Sequence, residues 1–345
     1  MLDVLIVSLG STGGLRSADE ELLASLRRAG ASAGIAVAAC QPQTRTLMAT
    51  DLRWAMAARR AAQAALERAH ARALIYSTTT AALLWPRPGA IRFDAPAAGN
   101  RPGRHGLWQR PFEHRRLRAA PLLLPQSEGA LLELPAGVRR SLGPADALVL
   151  PVPVEPSSSA EGGSGGSSAA HVRDVAVITY AANPSKKGLD LLLDAWRQVR
   201  REGEELVVAG VSESELRRLS YGAGAPSVRV VGMLAPDDYR ALVRRARVYV
   251  CAARREDYGL AQLEALADGC MLVTTPSPGP YAALRLAREL DERLVDEDLG
   301  VALRTALDDP RPHYSERAAR AMVPFRREAV DRLVAEELLP RLLSS

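Results

Sequence analysis

The chain has 345 residues, of which 47% are hydrophobic and 25% are charged, and its formal net charge is +5. This composition is typical of a folded globular protein and excludes a chain that is mainly disordered. The length predicts two domains or one large one. No run of about 18 apolar residues occurs, which argues against a membrane-spanning helix. The first residues, MLDVLIVSLG, indicate a β-strand rather than a signal peptide.

The first half of the chain alternates strand-like and helix-like segments. We predict strands at residues 2–8, 34–40, 73–77, 90–93, 121–124 and 147–152. We predict helices at about residues 17–29, 51–70 and 107–118. A glycine-rich turn at residues 10–14 separates the first strand from the first helix, so Gly13 and Gly14 are expected in a loop.

A Gly/Ser tract follows, SSSAEGGSGGSSAA at residues 157–170. It has too few apolar side chains to pack and predicts a flexible linker. We therefore expect a first domain at residues 1–156, a linker at 157–171, a second domain at 172–323 and a C-terminal segment at 324–345.

The second half repeats the alternation. We predict strands at residues 175–180, 205–209, 228–231, 248–251 and 271–274. Helices are predicted at residues 187–201, 213–219, 236–245, 260–268, 281–290 and 299–307. Short apolar strands separated by amphipathic helices indicate α/β domains with parallel, doubly wound sheets. Two such domains imply a cleft, and ligands of open α/β sheets bind at the carboxyl ends of the strands.

Cysteine and histidine contribute no recognisable site. The three cysteines form no Cys-x-x-Cys pair, which excludes a disulfide scaffold and favours a reducing cytoplasm. The five histidines show no zinc-binding spacing, so no metal and no cofactor is expected.

Two glutamates lie where the strand at residues 248–251 ends. Glu256 falls in the loop after that strand, and Glu264 lies about one turn into the next helix, which begins near Gly259 and Leu260. The free N–H groups of a helix N-terminus bind anions, and carboxylates accept hydrogen bonds from sugar hydroxyls. The pattern therefore indicates a binding site for a sugar diphosphate. The alternative is that Glu256 and Glu264 are unrelated acidic residues on the surface.

Only two of the 45 basic residues are lysines, Lys186 and Lys187, and they are adjacent. A compact ammonium group suits a phosphate as a point charge. Chance, or a solvated turn, is the alternative explanation.

These segments resemble the retaining GT-B glycosyltransferases of family four. The stretch from Glu256-Asp-Tyr-Gly-Leu to Glu264 is similar to the family's Glu-x7-Glu motif, and Lys187-Gly-Leu-Asp resembles its Lys-Gly segment. Gly13-Gly14 is similar to the glycine loop of the family's first domain. The resemblance implies the GT-B architecture, in which two Rossmann-like domains face a cleft. It also implies metal-independent transfer from a nucleotide-sugar donor, with retention of anomeric configuration.

The resemblance implies a role for each donor-binding residue of the second domain. Glu264 would hold the ribose hydroxyls, and Glu256 would hold the donor sugar near the reacting carbon. Lys187 would neutralise the leaving diphosphate, assisted by the backbone amides of Gly259 and Leu260.

Roles for four further residues follow from the same resemblance. The nucleobase would meet the backbone near Gly232 and Met233. Gly13 and Gly14 would let the backbone of the first domain approach the phosphate or the sugar.

Two positions depart from the family pattern. Ala182 stands where an arginine is usual, so the diphosphate loses one positive charge unless Lys186 supplies it. No histidine follows the strand at residues 90–93. Asp94 stands at that strand end and is a candidate catalytic residue, with turn capping as the alternative. These departures keep open a catalytically weakened relative that binds nucleotide sugars or scaffolds a partner.

Charge suggests one more partner. Residues 1–156 hold 19 arginines against 12 acidic residues, with the excess concentrated between Arg101 and Arg118. This stretch is either a solvated face or a contact with an anionic membrane. We therefore expect a cytoplasmic protein with peripheral contact at the inner face of the membrane.

The acceptor is undefined: a glycan, a lipid-linked sugar or a small molecule. Nucleic acid is not expected, because aromatic residues are only 4% and no basic–aromatic repeat occurs.

The C-terminal segment predicts an amphipathic helix at about residues 324–343. Its apolar stripe would comprise Val330, Leu333, Val334, Leu338 and Leu342. The resemblance implies that this helix crosses back to the first domain, and docking on the second domain is the alternative.

Overall fold

The computed structural model describes residues 1–40, 42–101, 103–157, 173–219 and 227–344. The chain divides into two compact units. Unit 1 comprises Met1–Pro153, Gly279–Tyr281 and Phe325–Ser345, and unit 2 comprises Val154–Pro278 and Ala282–Pro324. The predicted linker lies outside the described residues except for Ser157.

Unit 1 is built on a parallel five-stranded sheet in the order β2-β1-β3-β4-β5. Its strands are β1 Leu2–Ser8, β2 Ala33–Val37, β3 Ala71–Tyr76, β4 Ala90–Phe93 and β5 Leu123–Pro125. Its helices before the C-terminal segment are α1 Gly13–Arg28, α2 Leu47–Arg68, α3 Thr79–Ala82, α4 Ala97–Asn100, α5 Gln109–Ala119, α6 Glu128–Leu132 and α7 Ala136–Arg139. A 3₁₀ turn spans Gly103–Gly106.

The prediction of a strand at residues 147–152 is wrong. The segment is extended, but it makes only an isolated bridge, between Ala147 and Leu123. The N–H groups of Leu148 and Leu150 donate to the carbonyls of Leu123 and Pro125 at 2.9 and 2.8 Å. Strand β5 is only three residues long and ends at Pro125, so it offers this segment few partners for a longer ladder.

Unit 2 contains the second parallel sheet, in the order β10-β9-β6-β7-β8. Its strands are β6 Val175–Tyr180, β7 Leu206–Ala209, β8 Val228–Gly232, β9 Ala246–Cys251 and β10 Met271–Thr274. Its helices are α8 Leu189–Val199, α9 Glu213–Arg218, α10 Pro236–Arg244, α11 Leu260–Ala267, α12 Ala282–Asp291, α13 Leu299–Asp308 and α14 Tyr314–Ala321. Strands β6 and β9 are almost fully buried, as expected for central strands covered on both faces.

The C-terminal helix belongs to unit 1. It runs as α15 Arg327–Leu333, a π-helical turn at Val334–Leu338 and α16 Leu339–Leu343. The wide turn precedes Pro340, whose ring would clash with a carbonyl of a regular α-helix.

This helix buries its apolar stripe against unit 1. Val330, Val334, Leu338 and Leu342 share a core cluster with β1 and α1, and Leu333 packs at its margin. None of the described helices combines the length and apolar character needed to cross a membrane.

Candidate active site

The loop between β6 and α8 holds the two lysines. The Asn183 side-chain oxygen accepts the Lys186 N–H at 3.1 Å, and the Asn183 carbonyl accepts the Lys187 N–H at 2.9 Å. Gly188 has a φ of +60°, and a Cβ there would lie 2.0 Å from the Ala252 carbonyl oxygen. Only glycine allows this approach, which fixes Lys187 beside the end of β9. Helix α8 therefore begins after Lys187, later than predicted.

Lys187 forms an ion pair with Glu256. Its Nζ donates to Oε2 of Glu256 at 2.6 Å, and the two side chains are 30% and 14% exposed. Burial disfavours the ammonium, but the facing carboxylate outweighs this effect and raises the pKa of Lys187. The loop that carries Glu256 is anchored by its own N–H, which donates to the Pro278 carbonyl at 3.1 Å. The structure thus brings together two of the predicted catalytic residues and keeps the lysine charged.

Helix α11 begins directly after this pair. Gly259 caps it with a φ of +81°, a left-handed conformation that favours glycine. Within the described part of the chain, the N–H groups of Gly259 and Leu260 have no hydrogen-bond partner. They are two donors available to an anion at the end of β9.

Glu264 lies one turn into α11 and faces Arg240 of α10. The distance from Nη1 of Arg240 to Oε1 of Glu264 is 3.6 Å. Burial raises the pKa of Glu264, an effect that Arg240 counteracts. The Nε of Arg240 also donates to Asp268 at 2.8 Å, and its Nη2 donates to the Glu155 carbonyl at 2.8 Å. Arg240 was missed in the sequence, because one arginine on an amphipathic helix carries no local signal.

The predicted nucleobase contact lies at the end of β8. Gly232 has a φ of +73°, and its carbonyl accepts the Gly210 N–H at 2.8 Å. Met233 is 69% exposed, and its sulfur accepts the Tyr180 hydroxyl at 3.7 Å. Tyr180 is the last residue of β6, the central strand that precedes the Lys187 loop. The exposed thioether of Met233 and the ring of Tyr180 therefore lie together at the carboxyl end of this sheet.

The other residues named for unit 1 have different local settings. Gly13 and Gly14 lie in the first turn of α1, which Thr12 caps through the Leu15 N–H at 3.2 Å. The prediction of a loop at these glycines is therefore wrong, because the capping threonine starts the helix four residues early. A Cβ at Gly13 would meet no atom within 4 Å, so its surroundings are open. Asp94 is exposed, and its carboxylate accepts the Ala95 N–H at 2.8 Å, as a turn-capping residue does.

The basic stretch is only partly solvated. Arg101 pairs with Asp51 at 2.7 Å, and Arg116 lies 4.9 Å from the ring centre of Trp85. Leu107 and Phe112, in the same stretch, are 62% and 44% exposed. The exposed surface is therefore mixed, with arginines beside large apolar side chains.

The arrangement in unit 2 can stabilise a negatively charged leaving group. An ammonium held by a carboxylate stands beside unpaired backbone N–H donors, and a second carboxylate lies one helical turn further on. Among the described residues, no group of three or more side chains could hold a metal ion. In open α/β sheets the carboxyl ends of the strands are the usual place for ligands, and this arrangement suits an anionic one.

The comparisons with known proteins give a family match for part of the chain. Residues 174–309 match the family model described as glycosyl transferases group 1. The comparison with curated protein sequences gives no match. Apart from Gly279–Tyr281, the family match lies within the unit that carries Lys187, Glu256 and Glu264.

Solved structures share the fold over nearly the whole chain. WaaG, a glycosyltransferase involved in lipopolysaccharide biosynthesis, is 14% identical with a TM-score of 0.69, covering 96% of this chain and 99% of that chain. Sucrose-phosphate synthase from Thermosynechococcus elongatus is 16% identical with a TM-score of 0.66, covering 99% of both chains. Anabaena HepE in complex with UDP-glucose is 14% identical with a TM-score of 0.64, covering 97% of this chain and 98% of that chain.

Residues 174–309 therefore match the group 1 glycosyl transferases, and the chain as a whole shares the fold of GT-B glycosyltransferases. The predicted fold class and the resemblance to GT-B glycosyltransferases are confirmed. The site roles, the retention of configuration and the metal independence stay predictions.

Proposed function

We propose that the protein transfers a sugar from a nucleotide-sugar donor to an acceptor with retention of anomeric configuration. The observation that carries the proposal is the Lys187–Glu256 ion pair beside the open N-terminus of α11, at the carboxyl end of β9. HepE, which shares the fold, is described in complex with UDP-glucose.

The leaving diphosphate gains negative charge as the glycosidic bond to phosphate breaks. In the proposal, the Lys187 ammonium and the N–H groups of Gly259 and Leu260 stabilise this charge. Because the ammonium already has a counter-ion, it is held in place and charged before the donor arrives. No metal or cofactor is needed in this scheme. Lys186 is exposed and near enough in sequence to supply the charge that Ala182 lacks.

The two glutamates bind hydroxyls in the proposal. A carboxylate has two oxygens and about four acceptor positions, so Oε1 of Glu256 stays available to the donor sugar while Oε2 holds Lys187. Glu264 accepts from the ribose hydroxyls, and Arg240 keeps its carboxylate ionised against the effect of burial. Gly232 and Met233 contact the nucleobase.

Unit 1 contributes the acceptor side. In the proposal, Gly13 and Gly14, at the open N-terminus of α1, serve binding of the phosphate or the sugar, and Asp94, at the end of β4, serves catalysis. The acceptor is a glycan, a lipid-linked sugar or a small molecule.

We also propose peripheral contact with an anionic membrane at its inner face. Exposed Leu107 and Phe112 lie among Arg104, Arg115 and Arg118, which are also exposed. Apolar side chains inserted among arginines suit an interface of anionic headgroups.

The test is a screen of UDP-, GDP- and ADP-sugars by thermal shift and by donor hydrolysis. We expect one nucleotide class to stabilise the protein and its sugar to be released or transferred. If a nucleotide sugar stabilises the protein but its sugar is neither released nor transferred to any acceptor tried, the alternative of a catalytically weakened relative is favoured. That alternative rests on Ala182, which is exposed and offers no charge at the site.

A further inference from the structure

Unit 1 contains a small polar cavity that the proposed function does not use. Its volume is about 30 Å³, and Asp51, Thr79, Arg101, Gln109 and Glu113 contribute to its lining. These residues come from α2, α3, α5 and the end of α4. A cavity of this size admits a single amino group or one to two waters, but not a sugar ring.

One carboxylate of the cavity is fully satisfied. Asp51 is 1% exposed and accepts from Nε and Nη2 of Arg101 at 2.7 and 3.0 Å. The Nε2 of Gln109 donates to the same carboxylate at 2.9 Å. The charge of Asp51 is thus neutralised by a two-point ion pair.

The second carboxylate has no such partner. Glu113 is 2% exposed, and its two oxygens share the Ala97 N–H at 3.0 and 2.9 Å. Glu113 forms no ion pair with any residue that the structure describes. Gln109 is also 2% exposed, and its side-chain carbonyl oxygen is buried without a hydrogen-bond partner. The cavity therefore presents two buried acceptors and an excess of one negative charge when Glu113 is ionised.

We propose that this cavity binds the primary ammonium group of a small ligand. An ammonium has three N–H donors and one positive charge, which match the Glu113 carboxylate and the free Gln109 carbonyl. A hydroxyl or a water would leave the carboxylate charge uncompensated. The small volume means that the ligand enters by its amino end only. The proposal is independent of the glycosyl transfer assigned above.

Binding is linked to proton release. Burial raises the pKa of Glu113 to about 7, and the nearby Asp51 adds to this effect. The Thr79 side chain, the Ala97 N–H and Arg101 oppose it. Below that pH, the ammonium must displace the proton of Glu113, so binding weakens by about tenfold for each unit of pH. Above it, binding is independent of pH until the amine itself loses its proton.

The experiment follows the Glu113 carboxyl by carbon-13 NMR during a pH titration, with the resonance assigned by its absence from Glu113→Gln. The probe is methylammonium chloride, whose affinity is no tighter than millimolar because it has so few atoms. We expect saturating methylammonium to lower the pKa of Glu113 by about one unit or more. Gln109→Met should weaken the effect several-fold while leaving the carboxyl in place.

Matched controls separate the outcomes. Glu128→Gln makes the same chemical change at an exposed glutamate of unit 1 and should leave the titration unchanged. Potassium and tetramethylammonium chloride at equal ionic strength should not lower the pKa, because neither donates an N–H. A Glu113 pKa that methylammonium does not move, or that potassium moves equally, would overturn the proposal and leave a cavity for water.

Discussion

Replacing Lys187 by methionine removes the ammonium and keeps an apolar side chain of similar length. Nζ of Lys187 lies 2.6 Å from Oε2 of Glu256 and is the cation that faces the proposed leaving group. Loss of one preorganised donor to a developing anion lowers turnover by about 10²–10³-fold, or roughly 3–4 kcal/mol. The diphosphate is more negative in the transition state than in the bound donor, so kcat should fall far more than KM rises.

The substitution has a second, smaller effect on folding. Glu256 is 14% exposed and loses the ammonium partner that Lys187 provides, so its carboxylate must be hydrated instead. For a partly exposed pair we expect a loss of about 1–2 kcal/mol in the free energy of unfolding of unit 2. Trp196 is the single tryptophan of that unit, and its fluorescence during urea unfolding reports this loss.

Lys186→Met is the matched control, because Lys186 is exposed and the change is chemically identical. Steady-state kinetics with the donor found in the screen should show a mild effect for Lys186 and a large one for Lys187. Equal losses in kcat for both variants would mean that Lys186 takes the place of the charge missing at Ala182. A change in KM alone for Lys187→Met would refute transition-state stabilisation by its ammonium.

Three further outcomes are expected. Glu264→Ala should weaken binding of donor and of free nucleotide by about 1.5–3 kcal/mol in calorimetry, and unchanged affinity would exclude the ribose role. Leu338→Ala, at a side chain that is 0% exposed, should lower the unfolding free energy of unit 1 by about 2–5 kcal/mol in urea and leave the Trp196 transition in place. Arg28 holds the pKa of Asp331 below its usual value, so Asp331→Asn should cost about 1 kcal/mol at pH 7. This difference should vanish as the pH falls through the lowered pKa, and a cost that persists in acid would exclude the ion pair as its cause.

The sequence by itself determined the two α/β halves. Buried parallel strands such as β6 and β9 are continuous apolar runs. Helices of about two to three turns, α8 and α11, follow them, so local periodicity suffices. The pairing of glycine and glutamate around Gly259 was visible for the same reason, because a strand end, a cap and one helical turn are all local features.

Boundaries and small elements were less accessible. The start of α1 depended on Thr12 acting as a cap five residues before the predicted helix. Residues 147–152 were too weakly paired to form a strand. The short length of β5 decided the second case, because three residues offer few partners for a further strand. Such competition between nearly equivalent local conformations is settled by one or two hydrogen bonds.

Only the tertiary structure decided which side chains meet. The contact of Lys187 with Glu256 joins positions 69 residues apart, and Arg240 reaches Glu264 from a different helix. The cavity around Glu113 draws on four separate elements of unit 1, none of which carries a motif. A single charged residue on an amphipathic helix looks like a solvated face in the sequence, because its partner is chosen by packing and not by spacing along the chain.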